Sequence, residues 1–311
     1  MTTSSLDLGL PGPRVVRDRV RSAIRLSPRC VICGARTRIL TVRQDTANVR
    51  GGAPAKTLRM FPCRVCGFVR NPENVYDYRS LGHVEEMSNA ARTGRLERPG
   101  REFHMAQMAI DILGRAGLDV LVYGAGRSLD NRHIAALPEV RHVAIADVMK
   151  LRDDGEFIDS NLPAARRFDV VVASEVIEHF LDPTADLRAL FDFVEPDGLL
   201  VCSTNLYDGG RLSRQSYVFV PGHTSYWSEA SVKRVGAANG VFVDFRIPLV
   251  ATGFAGPRKR YILFTRSSDV IDAIGRYFST REYAPSDSPT GDVEIATAST
   301  PREDPLDESA E

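Results

Sequence analysis

The sequence predicts an α/β protein: an open, largely parallel sheet with helices on its faces, preceded by a small cysteine-bearing module. Three observations carry this. Asp119 to Tyr123 is an apolar strand pattern that runs into Gly124-Ala125-Gly126, and Leu129 to Leu137 then reads as a helix stopped by Pro138. Further short apolar runs follow at His142 to Ala146, Phe168 to Ala173 and Leu199 to Ser203. Four of the five cysteines form two Cys-x-x-Cys pairs, Cys30/Cys33 and Cys63/Cys66, each followed by a glycine.

The 311 residues have room for one substantial α/β domain and a small one. The formal net charge of +0 excludes a global basic field for nucleic acid, though not a local patch. No apolar run approaches the roughly 18 to 20 residues of a membrane span. The first residues, MTTSSLDLGLPGPRVV, lack an apolar core of signal-peptide length, so a cytoplasmic location without membrane insertion is expected.

Residues 1–26 read as a flexible basic arm, with Arg14, Arg17, Arg19, Arg21 and Arg25; a short amphipathic helix is the alternative. Residues 27–75 form a candidate zinc-binding module. In a reducing compartment, two Cys-x-x-Cys pairs read as four thiolates on one tetrahedral Zn2+ rather than as disulfides. The 29 residues between the pairs suit a ribbon with a hairpin, Thr37 to Val42 and Thr57 to Phe61 being its strands. The fifth cysteine, Cys202, reads as a small buried hydrophobe. Residues 76–100 are a linker or lid. The core spans 101–267. It opens with a helix from Arg101 to Gly114, whose stripe is Phe103, Ala106, Ile110 and Leu113. Asp182-Pro183 starts another helix, with Leu187, Leu190, Phe191 and Val194 as its apolar face, and Ser228 caps a third. Val241 to Ile247 and Arg260 to Thr265 close the sheet. Residues 268–311 are a C-terminal helix and a disordered tail, which from Glu282 holds nine acidic residues against Arg302 alone.

The glycines matter because a residue without Cβ accepts positive φ and lets a ligand lie against bare backbone. About twenty residues later Asp147 ends the second strand, placed to accept ribose hydroxyls. The ordered set Gly124-x-Gly126, Asp147, FDVVVASEVIEH and PDGLLVCSTN resembles the class I S-adenosylmethionine-dependent methyltransferases over roughly residues 100 to 266. The resemblance implies a Rossmann-like seven-stranded methyltransferase sheet and S-adenosyl-L-methionine as cofactor. It places Tyr123, Gly124, Gly126, Asp147, Val148, Asp159 and Glu175 around that cofactor, and Phe157 or Ile158 near the adenine. Arg95 or Arg98 is a candidate partner for the cofactor carboxylate, a solvated linker being the alternative. Many relatives have an acid in place of Tyr123 and a third glycine in place of Ser128.

Methyl transfer needs an aligned acceptor and often a base. The stretch Gly222-His223-Thr-Ser-Tyr226-Trp227-Ser228 is similar to the His-x-Ser-Tyr-x-Ser stretch of zinc-containing sugar methyltransferases. That similarity implies His223 as base; Tyr226 is expected to orient the acceptor, and Glu175 to end its strand beside the methyl position. An imidazole that titrates near neutrality suits the role; a capping role for His223, and a helix-buttressing one for Glu178 and His179, are the alternatives. The expected acceptor is a small molecule or a sugar or glycan. Competing readings are an RNA methyltransferase, favoured by the arginines at 14–29 and 36–70, and a non-catalytic scaffold, prompted by Tyr123 and Ser128.

Overall fold

The computed structural model describes residues 29–49, 54–76, 93–247 and 259–279. The expected basic arm, most of the 76–100 segment and the acidic tail lie outside them.

Seven strands form the main sheet, in the order β10-β11-β8-β7-β4-β5-β6. They are β4 (Leu118–Tyr123), β5 (Val140–Asp147), β6 (Glu156–Asp159), β7 (Phe168–Ser174), β8 (Val194–Asn205), β10 (Phe242–Arg246) and β11 (Lys259–Thr265). Strands β4 to β8 pair in parallel and the last two pairings are antiparallel. Parallel strands are covered on both faces, so they read as unbroken apolar runs. Val120–Val122 and Val170–Ala173 are accordingly buried throughout.

One face is covered by α1 (Arg101–Leu113), α2 (Asp130–Ala135) and α5 (Ser268–Ser279), through Met105, Ile110, Ile134 and Ile274. The other is covered by α3 (Pro183–Phe191), α4 (Glu229–Ala238) and the cysteine module. The helix signals hold. Asp182 accepts the Ala185 N–H ahead of Pro183, and Ser228 forms a capping box with Ser231. Gly114 ends α1 at φ 59°.

Three details depart from expectation. The buried surface of α1 is wider than the four-residue stripe. Met105, Met108, Ala109 and Ile112 join Ala106 and Ile110, because α2 and α5 pack beside it, while Phe103 and Leu113 are half-buried. Val194 opens β8 instead of extending α3. Strand β6 went unread, being four residues with an acid at each end. Ser128, where many relatives have a third glycine, is buried: its Oγ accepts the Gly94 N–H at 3.2 Å and the Asp130 N–H at 3.5 Å and donates to Glu102 at 3.2 Å.

In the module, β1 (Leu40–Arg43) pairs antiparallel with β2 (Thr57–Pro62), one cysteine pair lying before β1 and the other after β2. Beyond it, β3 (Val69–Arg70) pairs with β9 (Ser225–Tyr226), a strand contributed from the far end of the core. The Asn71–Asn74 turn tightens this union. Asn71 donates to the Val218 carbonyl at 2.8 Å, and Asn74 to the Val220 carbonyl at 2.6 Å. Trp227 sits at the junction with 0% exposure, its ring 5.0 Å from Phe68 and its indole N–H on the Ile177 carbonyl at 3.0 Å.

Truncating that side chain leaves a cavity and an orphaned carbonyl. Trp227→Ala is therefore expected to lower unfolding free energy by about 3–5 kcal/mol, measured as a shift in denaturant midpoint.

Candidate functional site

The candidate site lies at the carboxyl ends of β4, β5, β7 and β8, the edge where open α/β sheets take ligands. At the end of β4, Gly124 and Gly126 adopt φ of 69° and 53°. A Cβ on Gly124 would strike Val176 at 2.4 Å, whereas one on Gly126 would project into open space. Packing thus demands the first glycine, and the positive φ the second. Asp147 binds the turn directly: the Gly126 N–H donates to its Oδ2 at 2.9 Å and the Val148 N–H to its Oδ1 at 2.7 Å. Burial raises the Asp147 pKa and these two N–H groups pull it back. Each oxygen keeps a further lone pair for a ligand hydroxyl.

The other expected cofactor residues distribute around this edge. Tyr123 turns its ring into the core, 5.8 Å from Phe193, so its backbone rather than its phenol meets the turn. Val148 is exposed. Asp159 pairs in register with Asp147, and its Oδ1 accepts both the backbone N–H and the side-chain amide of Asn161. The segment at 93–100 packs over the turn, with the Leu129 N–H on the Gly94 carbonyl at 3.0 Å and the Gly100 N–H on Asp130 at 2.6 Å. Arg95 and Arg98 bridge each other's backbone in a short exposed bend.

Across the cleft, Glu175 follows β7 with φ 57°, unusual for a residue with a side chain. Its N–H donates to the Ser203 carbonyl at 2.9 Å, and its carboxylate accepts the Ser203 hydroxyl at 3.2 Å. Glu178 does not buttress α3; that helix is capped by Asp182. Fully buried, it accepts the Tyr217 hydroxyl at 2.5 Å and the Thr204 hydroxyl at 3.2 Å. Burial, helped by Glu175 and Glu178, holds the Tyr217 phenol well above its usual range, so it stays a donor. The His223 ring lies 4.3 Å from that of Tyr217 and 4.7 Å from that of His179, and the ligand atoms of Glu178, His179 and His223 converge within 4.8 Å. A divalent cation is one group such a set can hold. Tyr226 is buried behind the cluster, its hydroxyl on the Leu206 carbonyl at 3.4 Å.

The four module sulfurs also converge. Cys30 and Cys66 Sγ are 3.6 Å apart, and Cys33 and Cys63 Sγ 3.5 Å. Four thiolates at about 2.3 Å from one Zn2+ stand roughly 3.8 Å apart, so the set fits. Gly34 and Gly67, at φ 71° and 72°, close the two knuckles on the carbonyls of Cys30 and Cys63. Cys202 is buried in β8, and burial pushes its thiol pKa upward.

Sequence reasoning missed Tyr217, Thr204 and the buried acid Glu102. The first stands in a polar, aromatic stretch that marked a site without marking this residue. The others look like ordinary strand and helix positions.

With this geometry in place, the comparisons are specific. Residues 102–243 match the model of a family described as a methyltransferase domain. Those residues, 142 of the chain's 311, include the glycine turn, Asp147, Glu175 and His223. A 41-residue stretch is 54% identical to the ubiquinone biosynthesis O-methyltransferase of Cereibacter sphaeroides, covering 13% of this chain and 17% of that one. The same enzyme of Ruegeria pomeroyi is 51% identical over 41 residues, 13% of this chain and 16% of that one. The chain thus spans about a sixth of the length of these curated relatives. Among solved structures, the 1,6-didemethyltoxoflavin-N1-methyltransferase of Burkholderia thailandensis is 17% identical, with a TM-score of 0.39 over 52% of this chain and 76% of that one. No helix among the described residues is long and apolar enough to cross a membrane.

Glu102 yields a pH prediction for the stability of this fold. Burial, with Asp130 bonded beside it, raises its pKa from 4.5 to about 8. A carboxyl whose pKa is higher folded than unfolded binds its proton more tightly in the native state, so stability declines as pH rises between those two values. Urea midpoints are expected to fall from pH 5 to pH 8, and Glu102→Gln to flatten that slope.

Proposed function

We propose that this protein transfers the methyl group of S-adenosylmethionine to a small-molecule acceptor of the sugar or glycan kind, with a structural zinc in its cysteine module. The observation that carries the reading is the Asp147 carboxylate bound to the Gly126 N–H at one side of a cleft whose other side holds Glu175, Tyr217 and His223. The cofactor supplies an electrophilic methyl group on a sulfonium. Gly126 leaves its backbone open, and Asp147 offers oxygens for two ribose hydroxyls. Glu175, held by Ser203, presents a carboxylate beside β7. His223 accepts the acceptor's proton, with Tyr217 donating to Glu178 and so fixing the wall against which the imidazole packs. Tyr226 serves this arrangement from behind, through β9. The short stretch shared with ubiquinone biosynthesis O-methyltransferases accords with a small acceptor.

Calorimetry with S-adenosylmethionine tests the first half. Asp147→Ala removes a charged acceptor, an interaction of about 1.5–3 kcal/mol, so affinity should drop about ten- to a hundredfold. Gly126→Val should do at least as much; wild-type protein that binds no cofactor at millimolar concentration would refute the proposal. For the second half, His223→Asn should cost about a hundredfold or more in turnover with cofactor affinity unchanged. Equal losses of both would make His223 structural.

The metal has its own test. Protein purified without chelators should contain one zinc per chain by elemental analysis, and Cys63→Ser should abolish it. Removing zinc should also loosen β9, visible as faster amide exchange at Ser225 and Tyr226, because β3 hangs from the Cys63/Cys66 knuckle.

A further inference from the structure

A cavity of about 610 Å³ opens between the cysteine module and the loop after β8. Four arginines line it, Arg38 and Arg43 from around β1, Arg64 from the second knuckle and Arg211 from the loop, and no acidic residue among the described residues does. All four are exposed, and among the described residues none has a carboxylate partner. Some other arginines of this surface are paired, Arg59 with Glu73, Arg115 with Asp169 and Asp197, and Arg141 with Asp119. The chain as a whole is neutral, so this concentration is local.

One role for these charges is to offset the metal centre, since Cys63 reaches the same wall. Zinc on four thiolates carries about two negative charges. Four guanidiniums exceed that, leaving roughly two positive charges facing the cavity. Guanidinium groups bind phosphate oxygens through paired charge-assisted hydrogen bonds, which makes phosphate the matching ligand chemistry. The volume lies within the range of small-molecule sites. The neighbouring rings are committed inward. Tyr207 donates its hydroxyl to the Gly210 carbonyl at 2.9 Å and packs 5.3 Å from the buried Tyr226, leaving no row of exposed aromatics on which successive bases could stack.

We propose that this cavity binds a phosphate-bearing small molecule, with Arg38, Arg43, Arg64 and Arg211 holding the phosphate groups. The proposal deepens the methyl-transfer reading, on which it rests only for the ligand's identity as acceptor. The loop forming one wall belongs to the same 206–228 segment that carries Tyr217 and His223.

The test uses full-length, zinc-loaded protein titrated by calorimetry with inorganic pyrophosphate, with uridine diphosphate and with a short single-stranded RNA, each alongside S-adenosylmethionine. Pyrophosphate and uridine diphosphate should each bind once per chain, more weakly as salt is raised. Arg64→Ala and Arg211→Ala should each lower that affinity about tenfold, and together more, with cofactor affinity unchanged. Similar affinities for the two would place recognition in the phosphates, and tighter uridine diphosphate would extend it to a nucleoside; both support the site. Absence of binding by either at millimolar concentration, unchanged affinity in the double variant, or tighter binding of the RNA than of uridine diphosphate would overturn it. Failure to bind S-adenosylmethionine with pyrophosphate binding intact would remove the methyl-transfer reading and leave the anion site standing.

Discussion

The pairing of two residues with two others, Val69–Arg70 with Ser225–Tyr226, is the contact on which the site's architecture depends. It joins segments more than 150 residues apart in the chain and makes the module's sheet continuous with the wall of the cleft. A two-residue ladder is feeble alone. Its strength comes from what flanks it: the Asn71 and Asn74 amides on one side, the Trp227–Phe68 contact on the other, and the Ser228 hydroxyl on the Cys66 carbonyl. The module is therefore part of the core's covering layer. Its cysteines share one apolar cluster with Leu187, Phe191 and Trp227, and Thr184 of α3 donates to the Val31 carbonyl beside the first knuckle.

This arrangement divides labour across the sheet edge. The amino-terminal half of the fold, β4 and β5 with the glycine turn, offers backbone and one carboxylate, groups that suit a ligand of fixed shape. The far half, β7 and β8 with the 206–228 segment, offers side chains of varied chemistry on irregular backbone. Short helical turns at Leu212–Arg214 and Ser216–Phe219 fold that segment back on itself. Loops carried on a rigid sheet are where one fold acquires different substrates.

Much of this was legible from local pattern. Uninterrupted apolar runs marked the strands, because both faces are buried; Gly124 and Gly126 marked a turn that only glycine tolerates cheaply; and Asp182-Pro183 and Ser228 marked helix starts through capping chemistry alone. The paired cysteines announced their convergence because thiolate spacing is a short-range signal. What stayed hidden depends on distant partners. Strand β9 is two residues long and owes its existence to β3. The role of Ser128 depends on Glu102 and the Gly94 N–H, 26 and 34 positions earlier. Tyr217 matters because Glu178, 39 positions earlier, lies within reach of its hydroxyl, and no periodicity encodes that distance. The edge strand β6 escaped because only one flank pairs, so its composition need not be apolar.

Glu175 illustrates a tension of another kind. Its positive φ places a left-handed backbone conformation on a residue whose Cβ resists it, a cost of roughly 1–2 kcal/mol that glycine would not incur. Selection for stability alone would favour glycine there, since the Ser203 carbonyl needs only a backbone N–H. Keeping a carboxylate against that bias makes the position a natural reporter. A library of variants sorted for thermal resistance alone would be enriched in glycine at 175, whereas one sorted for turnover would not, and the divergence between the two pools would measure how far chemistry and folding pull apart at a single peptide unit.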